Sequence, residues 1–236
     1  MADVLPPITR FKRVSLDLLF PPWCIGCGRE GGYICDSCYR QLPSISPPIC
    51  PRCGRPLSPE NLCPGCTGEQ SGIDGIRSPF LFNGVIRRAI HELKYRNLRA
   101  LAPSLAGFLH EFLIDSPLPG DVLVPVPIHR KRLRERGYNQ SSLLAHELGR
   151  LCGLPVIDDS LIRRSYTPSQ ARASSAADRL ENVAGAFTCL DKRLREKQVI
   201  LIDDVSTSGA TLSACAGVLK SAGAVTVWGL VLALEL

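Results

Sequence analysis

The chain has 236 residues, of which 45% are hydrophobic and 21% charged, a balance typical of folded proteins rather than disordered ones. Its formal net charge of +6 suits anionic partners such as phosphorylated metabolites, nucleic acids or membrane surfaces, without choosing among them. The longest apolar run, residues 224–234, is shorter than the roughly 20 residues of a bilayer span, so the sequence predicts no membrane span.

The chain starts with a segment, residues 1–20, that we predict to be helix-like. Arg10, Lys12 and Arg13 interrupt its apolar residues, so it lacks the continuous apolar core of a secretory signal. We therefore expect a cytoplasmic protein. Cysteines stay reduced in that compartment, which favours metal binding over disulfides.

Eight of the eleven cysteines form four Cys-x-x-Cys pairs in the next segment, residues 21–70. They are Cys24, Cys27, Cys35, Cys38, Cys50, Cys53, Cys63 and Cys66. Two intervening residues let a tight turn aim both thiolates at one ion, and two such turns complete a tetrahedral shell. Pairing sequence neighbours predicts two structural zinc sites. Interleaved pairing and an iron–sulfur cluster remain the alternatives.

Residues 68–79 are rich in Gly, Ser and Pro, which predicts either a linker or the start of a larger domain, residues 71–236. Apolar residues at helical spacing predict helices over 84–96, 101–114, 140–151 and 210–222. Continuous apolar runs predict buried strands within 121–127, 199–202 and 225–232. Strands of this kind, alternating with helices, predict an α/β fold with a parallel sheet flanked by helices.

The strand at 199–202 is followed by two acidic residues, Asp203 and Asp204, and then by small and hydroxyl residues. The latter are Ser206, Thr207, Ser208, Gly209, Ala210 and Thr211. Ligands bind at the carboxyl ends of parallel strands, and the first amides of a helix attract phosphate. The two carboxylates can accept hydrogen bonds from a ribose diol, directly or through Mg²⁺. We predict a site for a phosphorylated ribose; the alternative is an Asp that only caps the next helix.

Several motifs occur in one order along the chain. They are the cysteine pairs, Lys94, residues 124–127, residues 136–140, Thr167 with Gln170, Arg179 with Asn182, and residues 199–211. In this order the chain resembles the ComF family of competence and DNA-utilisation proteins. The stretch 199–211 by itself is similar to the phosphoribosyl pyrophosphate motif of type I phosphoribosyltransferases, with Ser208 in place of a common Thr.

The resemblance implies a double zinc ribbon joined to a phosphoribosyltransferase-like domain that binds phosphoribosyl pyrophosphate and Mg²⁺. Asp203 and Asp204 would be the catalytic residues that contact the ribose hydroxyls, and residues 207–211 would hold the 5-phosphate. The remaining ligand-binding residues would be Val126, Pro127, Arg136 and Lys94, with residues 129–139 as a mobile flap. The positive charge of that flap suits a pyrophosphate leaving group.

Two functions follow from these features. The first is a phosphoribosyltransferase, an enzyme of pentosyl transfer, whose acceptor no sequence element identifies. The alternative is a non-catalytic competence factor that binds single-stranded DNA through the zinc head and the basic stretch 130–136, although the sequence shows no repeated aromatic platform. By family analogy the partners would be phosphoribosyl pyrophosphate or another phosphoribosyl metabolite, single-stranded DNA and a DNA-uptake helicase.

Overall fold

The computed structural model describes residues 21–57, 63, 66, 72–164 and 185–236. The predicted helix-like segment 1–20 lies outside them, as do Thr167, Gln170, Arg179 and Asn182 of the family motifs. The chain divides into two compact units, Met1–Leu42 and Pro43–Leu236. The division falls between the two cysteine groups, so the second group shares a unit with the sheet. The predicted domain ranges 1–20, 21–70 and 71–236 stay predictions.

Strands and helices alternate through the second unit. In the described part of the chain the strands are β1 (Gly75–Arg77), β2 (Phe80–Leu81), β3 (Val122–Pro125), β4 (Leu161–Arg163), β5 (Phe187–Cys189), β6 (Gln198–Ser206) and β7 (Thr226–Leu234). The helices there are α1 (Asp36–Tyr39), α2 (Gly84–Tyr95), α3 (Ala102–Asp115), α4 (Arg130–Arg136), α5 (Gln140–Cys152) and α6 (Ala210–Ser221). None of these described helices is long and apolar enough to cross a bilayer.

The main sheet is parallel and has the order β1-β7-β6-β3, with β2 also pairing with β7. Its central strands are buried because both faces are covered: α5 packs on β3 and β6, α3 on β7, and α6 on β6 and β7. Parallel strands buried on both faces need continuous apolar sequence, which β6 and β7 have. The predicted fold class, a parallel sheet flanked by helices, is confirmed.

Local sequence explains why α2 and α5 form where they do. In α2 the buried residues Ile86, Ala89, Ile90 and Leu93 recur at helical spacing on one face. The Asn139 side chain accepts a hydrogen bond from the amide of Ser141 (3.1 Å) and so caps α5. At its other end α5 stops at Gly153, whose φ is +71°.

The structure adds detail to three sequence expectations and corrects one of them, the end of the strand at 199–202. Residues 75–77 of the segment predicted to be a linker or the start of a domain form the edge strand β1 of the sheet; a Cβ on Gly75 would lie 2.4 Å from the Trp228 ring, so close strand packing explains the glycine. The strand predicted to stop at Ile202 continues to Ser206, with Asp203 paired to Val231. The segment 129–139, predicted to be a mobile flap, contains α4; its mobility stays a prediction.

Candidate functional site

The first cysteine cluster consists of Cys24, Cys27, Cys35 and Cys38, whose Sγ atoms all lie within 4.8 Å of one another. Cys27 Sγ and Cys35 Sγ are 3.6 Å apart. Thiolates bound to zinc at about 2.3 Å in a tetrahedron lie roughly 3.8 Å from each other, so the cluster has the size of a four-cysteine zinc shell. The Ser37 hydroxyl, 3.1 Å from Cys35 Sγ, helps to lower the pKa of Cys35 to about 6, which favours the metal-binding thiolate.

The second cysteine cluster consists of Cys50, Cys53, Cys63 and Cys66, again within 4.8 Å of one another. Burial raises the pKa of Cys50, but hydrogen bonds from the amides of Cys53 and Arg52 outweigh it and bring that pKa to about 7. Each cluster joins cysteine pairs that are neighbours in sequence, so sequence-adjacent pairing is confirmed and interleaved pairing is wrong. Four thiolates fill a tetrahedral shell, and the two clusters therefore fit two structural zinc ions.

Each cluster begins with the same turn, Cys-x-x-Cys-Gly-Arg, which we call the first knuckle (residues 24–29) and the second knuckle (residues 50–55). In the first, the Cys24 amide donates to the carbonyl of Arg29 at 2.8 Å, and in the second the Cys50 amide donates to that of Arg55 at 2.8 Å. The glycines have φ of +74° and +72°. These left-handed turns favour glycine because a Cβ would be strained there.

At the carboxyl end of β6 the buried carboxylate of Asp204 meets a lysine. Asp204 is 2% exposed, and its Oδ1 lies 2.8 Å from Lys94 Nζ in the last turn of α2. Burial alone would lower the pKa of Lys94, but the Asp204 carboxylate outweighs it and raises that pKa. The other oxygen, Asp204 Oδ2, is buried and has no hydrogen-bond partner among the described residues. A buried anionic oxygen without a partner is unfavourable, so this atom suits a bound hydroxyl group or cation.

The neighbouring carboxylate, Asp203, is held by different partners. Its Oδ1 accepts hydrogen bonds from Ser141 Oγ (2.8 Å) and from the Asp204 amide (2.9 Å). Burial and the nearby charge of Asp204 raise the pKa of Asp203 to about 7, although Lys94 and Ser141 oppose them. Because the two carboxylates repel each other strongly, the pair favours a cation or several hydrogen-bond donors between them.

The phosphate loop, residues 206–211, joins β6 to α6. Thr207 and Ser208 are exposed, and Ser208 Oγ accepts from the Ala210 amide at 3.4 Å. Gly209 has a φ of +77°, and a Cβ there would lie 2.9 Å from Ile76 Cδ1. The loop therefore presents hydroxyls beside the first turn of a helix of 12 residues, an arrangement that attracts phosphate.

The residues that follow β3 lie beside β6, because the Val126 amide donates to the Ile202 carbonyl at 2.9 Å. Val126 is buried, and its carbonyl accepts from Asn139 Nδ2 at 3.0 Å. Pro127 lines a cavity of about 810 Å³ together with Asn139 and Arg163. Val126 and Pro127, two of the predicted ligand-binding residues, thus sit at the same edge of the sheet as the two aspartates.

The other two predicted ligand residues, Lys94 and Arg136, line a second cavity of about 570 Å³. This basic cleft is formed by Lys94, Tyr95, Asn97, Arg132, Glu135, Arg136 and Tyr138. Arg136 donates to Gln140 Oε1, and its guanidinium carbon lies 5.5 Å from the centroid of the Tyr95 ring. Because Lys94 also contacts Asp204, the basic cleft adjoins the acidic pair.

Two residues of this region were missed by sequence reasoning. Ser141, which holds Asp203, lies 62 residues before it, and no local pattern links the two. Arg55 Nη2 donates to the carbonyl of Thr207 at 2.7 Å across 152 residues. The repeated Cys-x-x-Cys-Gly-Arg turn sets Arg55 at the same place as Arg29, but the repeat does not indicate a contact with Thr207.

The segment that holds the cysteine clusters matches a known family. Residues 15–67 match the family described as the double zinc ribbon domain. This match and the two four-cysteine clusters agree on zinc rather than an iron–sulfur cluster. The predicted pair of structural zinc sites is supported by both findings.

Known proteins match most of the chain. "Competence protein F" of Haemophilus influenzae is 29% identical over 208 residues, 84% of this chain and 89% of the relative. "Competence protein ComFC" of Bacillus subtilis is 30% identical over 197 residues, 80% of this chain and 79% of the relative. "DNA utilization protein YhgH" of Escherichia coli is 29% identical over 204 residues, 83% and 88% of the two chains.

Among solved structures, the chain is similar to the glutamine phosphoribosylpyrophosphate (PRPP) amidotransferase from B. subtilis complexed with ADP and GMP. The TM-score is 0.39 and the identity 21%, over 56% of this chain and 26% of that chain.

Proposed function

Since the chain belongs to the ComF family of competence and DNA-utilisation proteins, we propose that it binds phosphoribosyl pyrophosphate with Mg²⁺ at the carboxyl end of β6 and acts in the cytoplasm in the uptake or use of DNA. The observation that carries the binding proposal is the Asp203–Asp204 pair. One of its buried oxygens has no partner among the described residues, and the pair stands directly before the phosphate loop.

Each part of the ligand has a chemically suitable counterpart. The ribose hydroxyls can donate to the carboxylates of Asp203 and Asp204, while the phosphate loop offers hydroxyls and helix amides to the 5-phosphate. Lys94 and Arg136 line the basic cleft beside the pair, where they suit the charge of pyrophosphate. Bound Mg²⁺ would be held by carboxylate and ligand oxygens and would neutralise charge on the pyrophosphate.

As an enzyme, the protein would be a phosphoribosyltransferase. A nitrogen nucleophile would form a bond to the anomeric carbon while the carbon–oxygen bond breaks and its electron pair leaves with pyrophosphate, and the proton of the attacking nitrogen would pass to solvent. The residues described here would contribute by positioning the sugar and by stabilising the leaving charge.

A thermal-shift measurement tests the binding proposal. Phosphoribosyl pyrophosphate with Mg²⁺, at about 100 times its Kd, is expected to stabilise the protein by about 2.7 kcal/mol and raise Tm by roughly 5–10 °C. Mg²⁺ alone should give a much smaller rise. Absence of any shift with phosphoribosyl pyrophosphate and with ribose 5-phosphate would contradict the proposal.

A second assay separates an enzyme from a binding protein. It measures the release of pyrophosphate in the presence of a panel of nucleobases and amines.

The second candidate function is binding of single-stranded DNA, and one observation favours it. Tyr95 is 66% exposed beside the basic cleft, and its ring lies 4.8 Å from that of His91. The arginines of α4 border the same cleft through Arg132 and Arg136. Exposed aromatic rings beside a basic groove suit unpaired bases and a phosphate backbone. The sequence alone did not bring Tyr95 and the basic stretch 130–136 together.

Binding of oligo(dT) as a function of salt tests this candidate. Arg132→Ala is expected to reduce the slope of log affinity against log salt by about 0.7, the value for one phosphate contact on a single strand. Tyr95→Ala should weaken binding by about tenfold or more at fixed salt through lost stacking. The control is Arg150→Ala on α5, where Arg150 pairs with Glu147 at 2.9 Å. If Arg132→Ala and Tyr95→Ala bind like the wild type and the Arg150→Ala control, the basic cleft is not the DNA contact.

A further inference from the structure

We propose that the second knuckle is part of the ligand-binding machinery: it positions the phosphate loop through Arg55. This inference rests on the proposed binding of a phosphorylated ribose. It gives the second zinc site a role in ligand affinity in addition to a role in stability. Arg55 is the positioning residue, because it acts on the loop that would contact the ligand.

The direct contact is a hydrogen bond from the half-buried guanidinium of Arg55 to the backbone of the loop. Arg55 Nη2 donates to the carbonyl oxygen of Thr207 at 2.7 Å, a short bond of the charge-assisted kind. A phosphate would be bound by amides and hydroxyls, and a carbonyl turned towards it would repel it. With the Thr207 carbonyl engaged by Arg55, the loop is held in one arrangement before the ligand arrives.

The second contact runs through the edge strand β1. The Ile76 amide donates to the Arg52 carbonyl in the second knuckle at 2.7 Å. The Ile76 side chain reaches the phosphate loop. Its Cδ1 would lie 2.9 Å from a Cβ on Gly209, the loop residue with a positive φ. Ile76 thus lies between the second knuckle and the phosphate loop and contacts both.

The second knuckle is itself fixed to β1 by close backbone packing. A Cβ on Gly54 would lie only 2.5 Å from the Ile76 carbonyl oxygen. Arg77 Nη1 donates to the Pro51 carbonyl at 2.9 Å. Arg52 Nη1 donates to the Cys66 carbonyl at 2.8 Å and so joins the two halves of the second cluster. Through these contacts the metal-held second cluster therefore fixes the position of Arg55.

The first knuckle supplies a matched control within the same chain. Arg29 occupies the position of Arg55 in the first knuckle. Its carbonyl accepts from the Cys24 amide, as the Arg55 carbonyl accepts from the Cys50 amide. Arg29 is exposed and belongs to the other compact unit. Arg29→Met therefore removes an arginine from a zinc knuckle without changing the Thr207 contact.

The experiment measures the affinity of the zinc-loaded full chain for ribose 5-phosphate and for phosphoribosyl pyrophosphate with Mg²⁺ by calorimetry. Arg55→Met is expected to weaken both by about tenfold, the loss of one charge-assisted hydrogen bond. Arg55→Lys, which keeps a charged donor, should recover part of the loss. Arg29→Met should bind like the wild type. Bound zinc, measured by release to a chromogenic chelator, should stay at two per chain in every variant.

A second ligand separates positioning from general loosening. Inorganic pyrophosphate with Mg²⁺ lacks the 5-phosphate, so Arg55→Met should leave its affinity unchanged. Equal ribose 5-phosphate affinity in Arg55→Met and the wild type, or equal losses in the Arg55 and Arg29 variants, would overturn the inference. If Arg55→Met loses zinc, Arg55→Lys takes its place, and its affinity for ribose 5-phosphate is compared with those of the wild type and Arg29→Met. A wild type that binds neither phosphoribosyl ligand would refute the proposed function itself, a result distinct from failure of Arg55.

Discussion

Asp204→Asn is expected to abolish the stabilisation that phosphoribosyl pyrophosphate and Mg²⁺ give to the wild-type protein. The substitution keeps the size of the side chain and an oxygen that can accept from Lys94 Nζ, which lies 2.8 Å from Asp204 Oδ1. It removes the negative charge and replaces one oxygen by a donor. A ribose hydroxyl or Mg²⁺ would then meet a group that cannot accept from it or coordinate it.

The size of the effect follows from mass action. At a ligand concentration of about 100 times the wild-type Kd, a 100-fold loss of affinity reduces the stabilisation from about 2.7 to about 0.4 kcal/mol. The thermal shift should therefore fall from roughly 5–10 °C to about 1 °C. Each variant is compared with its own unliganded form, so a change in basal stability does not enter the result.

The control for the lost charge is Asp115→Asn, at the exposed end of α3. It makes the same chemical change away from the acidic pair and should keep the full thermal shift. An Asp204→Asn protein that responds to the ligand as strongly as Asp115→Asn would refute the assignment of the sugar to this carboxylate.

Loss of the second zinc ion is expected to destabilise the sheet, whereas loss of the first should not. The second cluster belongs to the same compact unit as the sheet, and its knuckle bonds to β1 through the Ile76 amide. Zinc contributes roughly 10–16 kcal/mol to the folding of short zinc-binding peptides. If about a third of that reaches the sheet, Cys53→Ser should lower the Tm of the sheet by roughly 7–21 °C.

The measurement needs a reporter within the sheet, and Trp228 on β7 provides one. Its ring faces Gly75, and the guanidinium carbon of Arg77 lies 4.9 Å from the ring centroid. The chain has two tryptophans, so Trp23→Phe leaves Trp228 as the only one. In that background, Cys27→Ser in the first cluster serves as the matched variant, and zinc analysis should find one ion per chain in each. Equal transitions of Trp228 fluorescence in the two variants would contradict the prediction.

The sequence was most informative where a pattern is local. Helical periodicity predicted α2, α3, α5 and α6, because each buries one face. Cysteine spacing predicted both zinc clusters for a similar reason, since two intervening residues are enough to aim two thiolates at one ion. The acidic pair followed by hydroxyl residues and a helix indicated where the candidate site would lie.

What the sequence did not reveal depends on distant partners. Asp203 and Asp204 disfavour strands, so β6 was predicted to stop before them, yet pairing with β7 continues the strand to Ser206. The edge strand β1 has only three residues in a segment rich in glycine, and packing on Trp228 selects that composition. Ser141 and Arg55 reach the site from other elements, and their neighbours in sequence do not show it.

The position of β7 has a consequence for how the protein is made. It is the last of the described strands in chain order, yet it lies between β1, the first, and β6. A ribosome releases the strands in sequence, so β1 emerges long before the neighbour it must join. The Ile76 amide bonds to the Arg52 carbonyl of the second knuckle on the edge of β1 that faces away from β7, and the edge that β7 joins stays open until β7 is synthesised. The metal-held turn, synthesised earlier still, can therefore shield the first of these edges from wrong partners during translation, but not the edge that waits for β7.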